Sequence, residues 1–284
     1  MTKGNQTQYA TQQTRRRAIV VPREHGAWGL LLVPLFTGLV TGFTPEQRVW
    51  ALLLFTLAVL SSFALRTPVE SLLGLGAIPA RTTGERRTAL AASTCFGLLS
   101  LVCLTVLMWK GRYSALSIFG AAAAGTFVMQ AILRKLGHST RMFSQIIGAI
   151  GLTSTAPAAY YIATGSLDTR AFVLWTANWI FAGNQIHFVQ LRIRAARATT
   201  FAEKLAKGKF FLVAQPVLLM VLISASRLHI LPSFSIMAFM PAVVRGSQWF
   251  WQKPEPLDVK RLGWGEMKQG VAFGLLLVGT FLYT

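Results

Sequence analysis

Residues at the start of the first long apolar run combine charges with an imidazole. Residues 23–28 read Arg-Glu-His-Gly-Ala-Trp, and residues 29–34 continue as Gly-Leu-Leu-Leu-Val-Pro. An unpaired charge is expensive in hydrocarbon, so this cluster is expected at a membrane interface or around a polar cavity. There His25 could move a proton near neutral pH, and Arg23 could bind an anion. The alternative is an ordinary helix start, because basic residues and Trp commonly flank membrane spans.

A second polar group lies in a later apolar run, residues 171–190, and just beyond it. At helical spacing Asn184, His187, Leu191 and Arg194 fall along one stripe. An amide, an imidazole and a guanidinium are therefore expected to project together into a helical bundle. A row of polar groups at this spacing is also typical of hydrogen bonds between neighbouring helices, and that alternative stays open.

Composition indicates a polytopic membrane protein. Hydrophobic residues make up 53% of the 284 and charged residues 13%, a balance that is untypical of a soluble domain. Apolar runs long enough to cross a bilayer recur along the chain. We predict an all-α, integral membrane helical bundle with about nine transmembrane helices in one domain, residues 23–284, preceded by a basic polar cytoplasmic arm, residues 1–22. The predicted spans are 27–43, 49–65, 88–108, 114–133, 143–163, 171–190, 210–226, 229–244 and 269–284.

Most of the net charge of +19 is explained by topology. When alternate connections are assigned to opposite sides, one side receives only Arg48, Lys110, Arg112, Arg170 and Arg227 of the 28 Lys and Arg residues. By the positive-inside rule the N-terminus is cytoplasmic, and nine spans place the C-terminus outside. Nucleic acid is therefore not expected as a partner.

The chemistry that remains is cationic. The sequence has no Ser/His/Asp order, no phosphate-binding glycine motif, no metal-ligand cluster and no adjacent carboxylates that could chelate Mg²⁺. Guanidinium groups bind phosphate oxygens bidentately, so a membrane lipid with an anionic headgroup, or a diphosphate, is the expected ligand. Ordinary loop charge facing water is the competing explanation. The cations predicted at the cytoplasmic mouth are Arg23, Arg66, Arg81, Arg134, Lys135, Arg192 and Arg194.

Residues 23–28 resemble the start of the YwiC-like family of bacterial membrane proteins, which implies a bacterial cytoplasmic (inner) membrane. The chain also distantly resembles the UbiA superfamily of membrane prenyltransferases, which implies nine helices around a central cavity. Local similarity lies in residues 26–34, in residues 134–165, and at the end of the run that contains Asn184. UbiA-type enzymes hold an isoprenyl diphosphate through Mg²⁺ on two aspartate-rich loops. The corresponding stretches here, 66–70 and 184–192, contain no aspartate. The Mg²⁺ ion that the resemblance implies therefore lacks its aspartate ligands.

Two functions follow from these residues. The first is a UbiA-like, prenyltransferase-type enzyme that binds an isoprenoid or other anionic amphipathic substrate at a cytoplasmic-facing cavity. The second is a non-enzymatic membrane protein, either a lipid or anion transporter or an assembly partner of a membrane complex. The candidate catalytic residues are His25 and His187. The candidate substrate-binding residues are Arg23, Arg66, Arg134, Lys135, Asn184, Gln190, Arg192 and Arg194, and no metal ligand is predicted.

Overall fold

The computed structural model describes residues 14–15, 17–22, 25–44, 49–76, 78–136, 141–253 and 255–283. The side chains of His25 and Arg141 and all of Arg23 lie outside the described residues. The described part of the chain is helical and contains no strand. Its helices are α1 His25–Thr41, α2 Val49–Leu72, α3 Thr83–Lys110, α4 Leu116–Lys135, α5 Arg141–Thr153, α6 Thr155–Thr164, α7 Thr169–Arg194, α8 Phe201–Arg227, α9 Ser235–Gln248 and α10 Val259–Leu282.

Several of these helices have the length and composition of membrane spans, which makes this a multi-pass membrane protein. Five stretches qualify among the described residues: Val49–Leu72, Thr83–Lys110, Leu116–Lys135, Met142–Thr164 and Phe201–Arg227. Four of them contain one of the nine predicted spans, and Leu116–Lys135 overlaps the predicted span 114–133. The other four predictions correspond to α1, α7, α9 and α10, which are too short or too polar by the same standard.

The chain forms two compact units. The first comprises residues 1–24 and 48–116 and contains α2 and α3, which pack against each other. A hydrogen bond of 2.6 Å joins the hydroxyls of Ser62 and Ser100 across this pair. At the start of α3, Thr82 and Glu85 form a capping box that satisfies backbone N–H groups of the first turn.

Part of the predicted polar arm packs into this first unit. Ile19 is completely buried, and the guanidinium of Arg15 donates hydrogen bonds to the Glu85 carboxylate and to the Pro79 carbonyl. The described residues of the arm therefore make both apolar and ionic contacts. Residues 1–13 of the arm lie outside the described residues.

The second unit comprises residues 25–47 and 117–284 and is built around α6. Every residue of α6 from Thr155 to Ala163 is buried, which requires neighbours on all sides. A helix break precedes it because Pro157 has no N–H to donate to the Thr153 carbonyl and its ring crowds that carbonyl. Together α5 and α6 still form one candidate span, Met142–Thr164.

Helix α1 lies between α6 and α10. A Cβ atom on Gly38 would lie 2.1 Å from the carbonyl oxygen of Ala156, so the α1 and α6 backbones are in close contact. On the α10 side, a Cβ on Gly274 would lie 3.0 Å from Val33. Asn178 of α7 donates a 3.1 Å hydrogen bond to the Thr37 hydroxyl. Small residues therefore bring α1 close to its neighbours, as is common between membrane helices.

Aromatic rings fill the core among α7, α9 and α10. The Phe181 and Phe273 rings are stacked with centroids 3.9 Å apart, and Phe239 contacts both rings edge-on. All three side chains are buried. This packing holds α7, α9 and α10 side by side.

We expect Gly38→Ala to destabilise the protein by about 1–3 kcal/mol or more, because the added methyl would overlap the α6 backbone. Thermal unfolding of the purified protein in detergent measures this. Gly29→Ala is the matched control on the same helix, since its Cβ would meet nothing closer than 4.0 Å. Equal unfolding temperatures for the two variants would contradict the close contact between α1 and α6.

Candidate functional site

The polar stripe predicted on α7 lies against α8. The side-chain oxygen of Asn184 accepts a 2.9 Å hydrogen bond from Gln215, and the half-buried His187 ring contacts Phe211 edge-on with centroids 5.1 Å apart. The arrangement of these two residues matches the interhelical alternative. Whether either one also contacts a substrate stays a prediction.

The remaining polar residues at the end of α7 point in different directions. Gln190 donates a 2.7 Å hydrogen bond to the side chain of Gln145 on α5. Arg194 is exposed, donates to the Gln190 carbonyl, and its own carbonyl accepts from Lys207 of α8. Residues from one helix turn therefore connect α7 to both α5 and α8.

Three other predicted binding residues lie outside α7. Arg66 belongs to the first unit and forms a 2.7 Å ion pair with Glu70, one turn along α2. Arg134 and Lys135 form the last turn of α4 in the second unit. Their assignment to a substrate site stays a prediction.

Two cations contact one indole ring at the C-terminal end of α7. The Arg192 guanidinium carbon lies 5.7 Å from the centroid of the Trp249 ring, and the Lys204 ammonium lies 5.1 Å from the same ring. We call these three residues the Trp249 cluster. Cation–π attraction stabilises such contacts, although two like charges on one ring repel each other. Lys204 is only 3% exposed.

The loop and cap that follow α7 bring Lys204 into the cluster. Helix α8 begins after Thr200, whose hydroxyl forms a capping box with Glu203. The next residue, Lys204, belongs to the buried face of α8, which continues through Gly208 and Phe211. The absence of a side chain at Gly208 leaves room for Phe250, whose ring a Cβ would approach to 2.7 Å.

Neither cation of the cluster has a carboxylate partner within the described part of the chain. Lys204 donates to the carbonyls of Trp249 and Gln252 at 3.2 and 2.5 Å. The Arg192 side chain forms neither a hydrogen bond nor an ion pair with any described residue. Burial and repulsion from Arg245 lower the pKa of the Arg192 guanidinium.

The buried acid Glu266 forms an ion pair with a different cation, Arg245. Arg245 of α9 forms two hydrogen bonds with the Glu266 carboxylate of α10, at 2.6 and 3.0 Å. The guanidinium also stacks 4.4 Å from the Phe188 ring centroid, and Gln185 donates to the Glu266 carbonyl. This ion pair joins α7, α9 and α10 and leaves the Trp249 cluster with its positive charge.

A small pocket opens beside the cluster, with a cavity volume of about 40 Å³. Its lining includes three cations, Arg192, Lys204 and Lys253, and one acid, Glu255. Glu255 is exposed and accepts a 3.1 Å hydrogen bond from Arg261. The pocket therefore presents an excess of hydrogen-bond donors and positive charge.

This donor set does not fit the Mg²⁺ ion that the UbiA resemblance implies. Mg²⁺ is held by carboxylate and other oxygen ligands in near-octahedral geometry. No group of three or more His, Cys, Asp or Glu side chains that could hold a metal occurs among the described residues. The acid in the stretch that corresponds to the first aspartate-rich loop, Glu70, is paired with Arg66.

Residues 21–160 match the model of the family described as YwiC-like protein. The match covers just under half of the chain, from before α1 into α6. No curated protein and no solved structure matches the chain. The YwiC-like match includes Arg66, Arg134 and Lys135, and it ends before α7, so the Trp249 cluster lies outside it.

Of the residues around the pocket, Arg192 is a predicted binding residue, whereas Lys204, Trp249 and Lys253 are not among the predicted site residues. Lys204 had a detectable signal, because it is in helical phase with Gly208 and Phe211 on the apolar face of α8. Trp249 has no comparable signal in the sequence. Its contact with residues 45 or more positions away depends on tertiary packing, which local periodicity does not report.

We expect Glu266→Ala to destabilise the protein by about 3–5 kcal/mol, because Arg245 would remain without its carboxylate. Thermal unfolding in detergent measures the loss. The exposed pair offers a matched control, and Glu255→Ala should change stability by no more than about 1 kcal/mol.

The double variant Arg245→Met/Glu266→Leu should recover most of the loss, because it removes both charges and leaves an apolar pair. Similar losses for Glu266→Ala and Glu255→Ala, or an additive loss in the double variant, would contradict the role of this ion pair.

Proposed function

We propose that this multi-pass membrane protein has a UbiA-like bundle of about nine spans and binds an isoprenoid or other anionic amphipathic molecule near the cytoplasmic end of α7. One observation carries the proposal: Arg192 and Lys204 share the Trp249 ring and have no carboxylate at ion-pair distance among the described residues. Membership of the YwiC-like family is part of the same proposal.

The energetics of buried charge support an anionic ligand. A buried cation is stable only when hydrogen bonds or opposite charge replace its hydration. Backbone carbonyls partly do this for Lys204, whereas the half-buried Arg192 side chain lies against the face of an indole and has no hydrogen-bond partner among the described residues. A phosphate or diphosphate headgroup would supply the missing charge and accept bidentate hydrogen bonds from the guanidinium.

The distribution of cations supports a cytoplasmic position for this ligand. The segment between the predicted spans 171–190 and 210–226 is the most basic of those assigned to the inside, with its cations at Arg192, Arg194, Arg197, Lys204, Lys207 and Lys209. Basic segments beside membrane spans attract the anionic lipids of the cytoplasmic leaflet. In this arrangement the hydrophobic tail of the ligand would extend along the apolar helices.

Prenyl transfer is the second candidate function, with His187 as the residue that moves a proton. The observation in its favour is that His187 is a half-buried imidazole on the helix that carries Arg192. Binding without transfer requires fewer assumptions, because the described residues lack the carboxylate set on which UbiA-type enzymes depend.

The test uses the purified full-length protein and a radiolabelled prenyl diphosphate, with Mg²⁺ or with EDTA. We expect binding under both conditions, and Arg192→Gln should weaken it by about tenfold or more, the effect of losing a charge-assisted hydrogen bond. Arg197→Gln is the control, since it removes the same charge from an exposed residue of the same loop.

Absence of binding under both conditions would overturn the proposal. Including a quinone-type aromatic acceptor in the same incubations tests the second candidate. A prenylated product that disappears in His187→Gln would establish transfer, whereas ligand recovered unchanged would exclude it for that acceptor.

A further inference from the structure

We propose that the pocket beside Trp249 binds a single phosphoryl group directly, through Arg192, Lys204 and Lys253 and without a bridging metal ion. This inference rests on the proposed function and specifies its ligand chemistry. It names the group that the pocket recognises and the charges that recognise it.

Charge in the pocket favours a dianion. Three cations line it, and Glu255, the acid in the lining, is engaged by Arg261 at 3.1 Å. A phosphomonoester carries about −1.5 to −2 charges at neutral pH, which balances these cations better than a carboxylate or a phosphodiester does. Glu266 is paired with Arg245, and its attraction for Arg192 is offset by the repulsion between Arg192 and Arg245.

Unused donors point to the same ligand. The Lys204 ammonium has three N–H donors, and two of them are fixed by the carbonyls of Trp249 and Gln252. The Arg192 guanidinium has five donors and no hydrogen bond to a described residue. A tetrahedral phosphoryl group could accept two hydrogen bonds from Arg192 and one from Lys204 at once.

The size of the pocket limits what enters it. The cavity volume is about 40 Å³, above the roughly 10–15 Å³ needed to admit one water molecule, so only small groups enter it. A lipid chain does not fit, so any attached chain would remain outside the pocket.

The phosphoryl group could come from free phosphate or from the headgroup of a phosphomonoester lipid, and the experiment separates the two. Purified full-length protein in a nonionic detergent is titrated with lysophosphatidic acid, a monoester amphiphile, and with lysophosphatidylcholine, a zwitterionic diester. A third titration uses inorganic phosphate, and all three are repeated with EDTA. Affinity is measured by isothermal titration calorimetry.

We expect lysophosphatidic acid to bind at least about tenfold more tightly than lysophosphatidylcholine, with no change in EDTA, and inorganic phosphate to compete with it. Arg192→Gln should lower the affinity for the monoester about tenfold or more, and Arg192→Lys should restore part of it because the charge returns without the bidentate geometry. Lys253→Gln changes an exposed residue of the same pocket, and it should also weaken binding. Arg197→Gln should bind as the unmodified protein does.

The outcomes distinguish the two proposals. If prenyl diphosphate binds and depends on Arg192, but lysophosphatidic acid binds no better than lysophosphatidylcholine, needs a metal ion, or is unaffected by Lys253→Gln, the metal-free phosphoryl site is wrong and the proposed function stands. If Arg192→Gln binds every ligand normally, both are wrong. If inorganic phosphate binds and no amphiphile does, the phosphoryl site stands and the proposed function is wrong. If none of these ligands binds, both are wrong.

Discussion

The ion pair between Arg245 and Glu266 determines the charge of the region beyond the end of α7. A carboxylate that is only 6% exposed must be compensated, and the bidentate guanidinium satisfies both of its oxygens. The pair also holds three helices together through Phe188 and Gln185. The attraction of Glu266 for Arg192 is offset by the repulsion between Arg192 and Arg245, so Arg192 and Lys204 remain cationic neighbours that repel each other.

Apolar length predicted the helical class and five of the spans, because burial in hydrocarbon requires long runs without charge. The same criterion says little about α7, whose polar residues are satisfied by partners on other helices. Asn178 bonds to Thr37 and Gln185 to the Glu266 carbonyl, and neither partner is visible from the sequence of α7 itself. The break before α6 was foreseeable from Pro157, whereas its burial on all sides depends on how its neighbours pack.

Helical periodicity placed Asn184 and His187 on one face but could not say what that face contacts. The structure places Gln215 and Phe211 of α8 opposite them. The same periodicity, applied to α8, would have identified Lys204 as a cation on a buried face. A lysine in phase with Gly208 and Phe211 conflicts with its surroundings, and such local conflicts often mark functional positions. Trp249 needed the tertiary structure, because its ring acts only through residues distant in sequence.

The positive charge of the Trp249 cluster can do part of what a metal ion does in the UbiA scheme. There, Mg²⁺ bridges carboxylates and a diphosphate, so the protein presents net positive charge to the ligand through an ion. In the pocket beside Trp249 the positive charge comes from the side chains themselves, so no carboxylate is needed to hold a metal ion. A guanidinium binds an anion through its charge and hydrogen bonds but is neither a nucleophile nor a base at neutral pH, so it accounts for binding and not, alone, for bond cleavage. Electrostatics therefore supports the proposed recognition of an anionic headgroup.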